Sequence, residues 1–279
     1  MTMSAARYLL KLSRPRFWLY LAGPVAVGVV YAAASTADLF TPATLTLFAY
    51  FLLPANVLLY GVNDVFDADV DTENPKKEGR EVRYSGDRTV PAAVVVSAVL
   101  LLAPVAVTPS LAWPWLAGFL GLGVAYSAPP LRLKTRPPLD SVSNGLYVLP
   151  GAAAYAAVAG AQPPLLAVVG GWLWTMAMHT FSAIPDIDPD RRAGIETTAT
   201  TLGERRSYAY CAGCWALAAV AFGALDVRLG ALIGLYPVGV ALVARSGIDA
   251  SRAYWWFPAV NTAVGALITM GGLWSVVYG

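Results

Sequence analysis

The sequence predicts an all-α protein that crosses a lipid bilayer about nine times, and three observations carry the prediction. The 279 residues are 57% hydrophobic and only 13% charged, about half of the ~25% usual in soluble domains. The apolar residues gather into segments close to the ~20 residues that cross a bilayer. Finally, when the segments alternate in direction, 18 of the 19 Lys and Arg fall on one face, the asymmetry expected of a cytoplasmic side.

The first span reads as 17–34, preceded by Arg7, Lys11, Arg14 and Arg16. The "YAAASTA" after it has the small residues of a signal-peptidase site. The run before it is nonetheless span-length, and the second span still needs a cytoplasmic exit, so an anchor is preferred over a cleaved leader. The second span, 44–62, opens into a polar loop holding Lys76, Lys77, Arg80, Arg83 and Arg88. Spans 92–108 and 112–127 are divided by "TPSLAWP", a very short external turn. Arg132, Lys134 and Arg136 follow; then come 142–160 and 164–183, with Arg191, Arg192, Arg205 and Arg206 behind them. The last three spans are 208–224, 229–245 and 254–277; Arg245 and Arg252 flank the loop between the final two, and Arg228 alone lies opposite. Gly and Pro inside the spans are ordinary in membrane helices, and "YWWFP" at 254–258 reads as an interfacial aromatic belt. The N-terminus is therefore cytoplasmic, and an odd number of spans sends the C-terminus outside. The expectation is one domain, 1–279, of two four-helix halves around a central cavity plus a last helix.

Acidic residues are distributed less evenly than basic ones. Eight of the 17 lie in 64–87 and five in 186–204, within the loops 63–91 and 184–206 of the basic face. Carboxylates at a membrane boundary are expensive and mark function. In "NDVFDADVDTENPKK", Asn63, Asp67 and Asp71 fall at i, i+4 and i+8, one face if the second helix continues. Asp64 lies beside that face. Such a row repels itself unless a cation sits among it. Oxygen ligands without His or Cys suit Mg²⁺, which takes one or two carboxylates and fills its shell with water and phosphate oxygens. In "IPDIDPDRRAG", Asp186 and Asp190 repeat the four-residue spacing. Pro185 ends the sixth helix there, and Asp188 before Pro189 looks like the N-cap of a short new helix. Between the clusters "YSAPPLRLKTRPP" is held extended by its prolines and offers Arg132, Lys134 and Arg136 as a cationic loop. Two acidic clusters for Mg²⁺ and a basic loop for a polyanion describe a diphosphate site.

These motifs resemble the UbiA superfamily of intramembrane prenyltransferases. The match covers Asn63, Asp64, Asp67 and Asp71 in the first motif, Asp186 and Asp190 in the second, the Tyr126-to-Lys134 segment, and the nine spans. Many family members that alkylate quinone precursors or make archaeal lipids or chlorophyll follow the first motif with a segment that has a second arginine–proline step. Here "NPKKEGREVRYSGDRTV" lacks it, and together with "HTFSAIPDIDPDRRAGIETTATTLG" the chain most resembles the lycopene elongases. The resemblance implies a Mg²⁺-dependent enzyme that transfers a dimethylallyl group from its diphosphate to lycopene or a similar polyene, within the bilayer and open to the cytoplasm. It implies metal ligation by Asn63, Asp64, Asp67, Asp71, Asp186 and Asp190, the last two with Asp67 and Asp71 being catalytic. Diphosphate contact falls to Tyr126, Arg132, Lys134 and Arg14. The base that ends the reaction is not identified, an Asp and the released diphosphate both being open; His179, the only histidine, could tune the site or act as a base but reads first as a packed polar residue. Cys211 and Cys214 suggest neither a disulfide framework nor a metal site. The net charge of +2 says nothing specific about partners; the expected ones are the diphosphate, the polyene and the bilayer, with no nucleic acid. The alternatives are an aromatic or quinone-precursor acceptor, a cation-coupled transporter, for which carboxylates should lie at the bilayer midplane, and a scaffold.

Overall fold

A computed structural model describes residues 5–67, 86 and 88–279. Among the described residues nine helical segments correspond to the nine expected spans, and a short helix, Ala5–Leu12, precedes them. They are α1 Trp18–Ala32, α2 Pro42–Phe66, α3 Thr89–Val107, α4 Trp113–Ser127, α5 Leu139–Ala159, α6 Leu165–Ala183, α7 Glu204–Gly223, α8 Val227–Ser246 and α9 Ala250–Tyr278. Six helices are long and apolar enough to cross a membrane by length and composition. The clearest is α3, with mean hydropathy 2.5 and only 22% of its apolar window buried. An apolar helix packed this little has lipid as its remaining solvent.

Local chemistry accounts for the helix ends. Thr41 Oγ1 accepts the Thr44 N–H at 3.2 Å and Pro42 occupies the first turn of α2, where a missing N–H costs nothing. Pro54 interrupts α2 at Leu53, and Asn56 Nδ2 donates to the carbonyls of Phe51 and Leu52 at 3.0 and 3.1 Å. A side-chain amide thus satisfies groups that lipid cannot. The α3–α4 turn is as short as expected, a 3-10 turn at Ser110–Ala112.

The chain forms two compact units. The first holds 1–131, 149–162 and 271–279, and so contains α1 to α4 with the second half of α5. The second holds 132–148 and 163–270, with α6, α7, α8 and most of α9. Neither unit is a plain four-helix half, because α5 and α9 are each divided between the two. In the first unit α1 packs on Leu149–Ala159 of α5. Gly28 meets Gly151 so closely there that a Cβ at position 28 would lie 2.2 Å from the Gly151 carbonyl oxygen. In the second unit α6 packs along α7 around an aromatic core. Phe181 and Phe257 lie 4.5 Å apart between ring centres, and Trp215 stacks on Phe257 at 5.9 Å. This corrects the belt reading of "YWWFP": Trp255 and Trp256 are exposed, but Phe257, one step round the helix, is drawn into the core.

Candidate active site

The first Asp-rich motif sits where α2 ends. The helix stops at Phe66, and Asp67 caps it with its backbone N–H on the Asn63 carbonyl at 3.0 Å. Asn63 and Asp67 keep helical spacing and are both half-buried. Asp71, expected on a continuing helix, lies outside the described residues, as do Lys76, Lys77, Arg80 and Arg83. Asp64 faces inward, its side chain 4% exposed, and Arg14 Nη2 donates to its Oδ1 at 3.3 Å. Arg14 also lies over the Tyr60 ring, 4.5 Å from the centroid, and Tyr60 is one turn before Asp64 on the same face. A carboxylate with so little water requires such a countercharge. Asn63 Nδ2 donates to Ser127 Oγ at 3.2 Å, joining the motif to the end of α4 beside Tyr126. Arg14, Asn63, Asp64 and the Tyr126–Ser127 step are therefore one neighbourhood of the first unit. Asp67 is one turn from Asn63.

If Arg14 and Asp64 act as one element, removing either exposes the other. Arg14→Gln and Asp64→Asn are each expected to lower activity, and the double variant should lose little more than the worse single one, a coupling of about 0.5–3 kcal/mol. Losses that simply add would show two independent roles.

In the second unit Pro185 ends α6, as expected. The chain continues through a 3-10 turn at Ile184–Asp186 into a short helix, Ile187–Arg192. The N-cap is Asp186, not Asp188, because the 3-10 turn carries the chain into the new helix two residues earlier. Asp188 and Pro189 then lie in the first turn, where proline is tolerated. Asp186 and Asp190 are half-buried while Asp188 is exposed, so the four-residue pair shares one inward face. Gly194, at φ +67°, accepts the left-handed turn that ends the helix. Arg191 Nη2 donates to the Thr200 carbonyl at 2.7 Å, fixing the short helix to the segment behind it.

The basic loop is not extended throughout. Its prolines flank a 3-10 turn at Leu133–Thr135 that carries Lys134, with Thr135 Oγ1 donating to the Arg132 carbonyl at 3.1 Å. Arg132 precedes the turn at φ 39° and ψ 57°. Arg14 has φ 49° and ψ 71°. Among the described residues these are the two non-glycine positions with positive φ, and both are candidate diphosphate contacts. Such strain collects at binding sites, where surrounding structure holds a side chain in one direction.

One carboxylate was passed over by sequence reasoning. Asp140, at the start of α5, is 0% exposed. Its Oδ2 accepts the Thr198 backbone N–H at 2.9 Å, its Oδ1 accepts the Thr198 hydroxyl, and His179 Nε2 lies 3.7 Å from Oδ2. Alongside, Ser141 Oγ bonds the Met176 carbonyl, the Tyr210 hydroxyl and Thr180 Oγ1 at 3.1, 2.9 and 3.0 Å. The available signal was an aspartate entering an apolar span, followed by the polar run "SVSN".

Each motif, taken within its own unit, carries side chains of the kind Mg²⁺ accepts: Asn63 and Asp67 in the first, Asp186 and Asp190 in the second. Among the described residues no three His, Cys, Asp or Glu side chains form a ready-made cage. An ion that completes its shell with substrate phosphate and water needs no such cage.

A sequence model of the UbiA prenyltransferase family matches residues 21–258. The chain belongs to the UbiA prenyltransferase family. Within this family it is similar to the lycopene elongase/hydratase of Haloferax volcanii, at 65% identity over 272 residues, covering 98% of this chain and 90% of that protein. The lycopene elongase/hydratase of Halobacterium salinarum is 62% identical over 273 residues, covering 98% and 99%. A UbiA homologue from Archaeoglobus fulgidus, solved bound to DMAPP and Mg²⁺, shares the fold at a TM-score of 0.77 and 20% identity, over 98% of this chain and 100% of that one. The enzyme is thus a UbiA prenyltransferase of the lycopene elongase branch in a multi-pass membrane fold, which decides against the transporter and scaffold readings.

Proposed function

We propose that this UbiA enzyme transfers a dimethylallyl group from dimethylallyl diphosphate to a terminal double bond of lycopene or a closely similar polyene, in fifty-carbon carotenoid synthesis. The observation that carries the acceptor is the identity of 65% and 62% with two lycopene elongase/hydratases over 98% of the chain. Asn63, Asp67, Asp71, Asp186 and Asp190 would hold Mg²⁺ in this reading. Asp64 serves chiefly to hold Arg14. Arg14, Tyr126, Arg132 and Lys134 take the diphosphate oxygens. When bound, Mg²⁺ stabilises the negative charge of the departing diphosphate. The two strained arginines add fixed positive charge that needs no reorientation as the C–O bond breaks. The acceptor has no polar handle, so apolar walls must recognise it and aromatic faces shield the allyl cation. The N-terminus and the mouth of the site face the cytoplasm, on the asymmetry of Lys and Arg.

The test is a product assay on purified enzyme in detergent or lipid with Mg²⁺, dimethylallyl diphosphate and lycopene. Carotenoids lengthened by one and two five-carbon units are expected, with none after chelation of the metal. Turnover only with an aromatic acceptor would keep the family and overturn the acceptor.

A further inference from the structure

The second Asp-rich motif is carried by a helix too short to hold its own direction. Ile187–Arg192 has six residues, and helices shorter than about 12 residues are marginal without outside support. One end continues from α6 through the 3-10 turn at Ile184–Asp186. The other end turns away at Gly194 and has to be fastened from outside.

Arg191 supplies the fastening. Its Nη2 donates at 2.7 Å to the carbonyl of Thr200, within the five-residue helix Thr198–Leu202. A carbonyl in the last turn of a helix lacks a partner inside that helix, and a basic side chain completes it. This second short helix is closed at its start by Thr197 and Thr200. The Thr197 N–H donates to Thr200 Oγ1 at 2.7 Å, and the Thr200 N–H donates to Thr197 Oγ1 at 3.2 Å. Its tie to the start of α5 is Asp140, which is 0% exposed. Both carboxylate oxygens are engaged by Thr198, Oδ2 by the backbone N–H at 2.9 Å and Oδ1 by the hydroxyl. A fully buried carboxylate is a costly way to make one hydrogen bond, and a neutral amide would serve for that. Two oxygens on two donors of one residue fix its orientation as well as its place. The ties run in series from Asp140 to Thr198, to the Thr200 carbonyl and to Arg191, which is next to Asp190. All lie in the second unit.

We propose that Asp140 is a positioning residue for the second Asp-rich motif, acting through Thr198, the Thr200 carbonyl and Arg191. It rests on the reading that Asp186 and Asp190 hold Mg²⁺. A carboxylate pair on a loosely held turn must be ordered each time an ion and the diphosphate arrive. A pair already held in place has lost that entropy beforehand and binds at lower concentration. The tie therefore sets how much Mg²⁺ the site needs. A purely structural role for Asp140, joining α5 to the helix Thr198–Leu202, would lower the melting midpoint and leave the Mg²⁺ requirement unchanged.

The experiment compares wild type with Asp140→Asn, Thr198→Val, Thr198→Ser, Arg191→Gln, the Asp140→Asn/Arg191→Gln double variant, Asp190→Asn and Gly170→Ala. Two quantities are titrated with Mg²⁺. One is turnover of dimethylallyl diphosphate; the other is the rise in melting midpoint with a thiolodiphosphate analogue of that donor, which needs no turnover. Asp140→Asn and Arg191→Gln should each raise the Mg²⁺ for half of either effect by about three- to tenfold. That is at or below the low end of the ~10–100-fold cost of removing a direct partner of a metal ligand. Thr198→Val, which loses only the hydroxyl donor, should shift it the same way, and Thr198→Ser by less. The double variant should shift it little more than the larger single one, because both substitutions cut one series of bonds. Gly170→Ala, whose Cβ would lie 2.9 Å from the Phe222 ring, controls for lost packing in the same unit. It should melt earlier with the wild-type Mg²⁺ requirement. A wild-type requirement in folded Asp140→Asn and Arg191→Gln, or an equal shift in Gly170→Ala, overturns the proposal alone. Should Asp140→Asn not fold, Arg191→Gln and Thr198→Val decide on the same terms. An unchanged requirement in Asp190→Asn overturns the metal reading of the second motif and this proposal with it.

Discussion

Asp67→Asn and Asp190→Asn are each expected to lower prenyl transfer by about 10²–10³-fold while the protein stays folded, the cost typical of removing one group that stabilises transition-state charge. Asn matches Asp in size and keeps one oxygen, so packing is spared and the negative charge is lost. Asp67 closes α2 through its backbone N–H on Asn63, which the substitution leaves in place. Asp190 shares the half-buried face of its short helix with Asp186. Asp188, exposed on the other face, supplies the control: Asp188→Asn should leave turnover at the wild-type level. A site that relies on one or two carboxylates per ion has little redundancy, and the remaining activity should demand more Mg²⁺. Near-wild-type turnover of Asp67→Asn at modest Mg²⁺ would remove the first motif from the chemistry.

The largest effect on stability is expected at the crossing of α1 and α5. A Cβ on Gly28 would sit 2.2 Å from the Gly151 oxygen, and one on Gly151 would sit 2.7 Å from the Pro24 oxygen. Both obstacles are backbone, so no rotamer change relieves them, and the helices must move apart. In lipid no hydrophobic drive restores the contact, because association rests on close packing of small residues. Gly28→Ala should therefore destabilise by about 3 kcal/mol, the upper part of the usual overpacking range, seen as a lowered melting midpoint in detergent. Gly23→Ala, on the same helix with nothing within 4 Å of its Cβ, should melt like wild type or slightly above it. Equal melting of the two variants would disprove the close crossing.

The legible features of this protein are those written in local order. The placing of the helices follows from apolar runs, because a bilayer imposes a length on each helix that crosses it. The Asn63–Asp67 and Asp186–Asp190 pairs follow from four-residue spacing, because a helix turn fixes which side chains are neighbours. Boundaries of capping were less legible. Asp188 looked like a cap because Pro189 follows it, but the 3-10 turn at Ile184–Asp186 decided the start of the helix. Phe257 looked like its tryptophan neighbours, yet its angle on α9 places it against Phe181 and Trp215.

From sequence alone, then, come the all-α, multi-pass membrane class, the resemblance to UbiA prenyltransferases and the two acidic motifs. Only the tertiary structure decided that Arg14 pairs with Asp64 across 50 residues and that Asp140 bonds Thr198 across 58. Helical periodicity orders side chains within about two turns; which helix lies beside which depends on close contacts such as Gly28 on Gly151, where the absence of a side chain permits the approach. A pattern of hydropathy records that a residue is buried in something, and packing alone determines what.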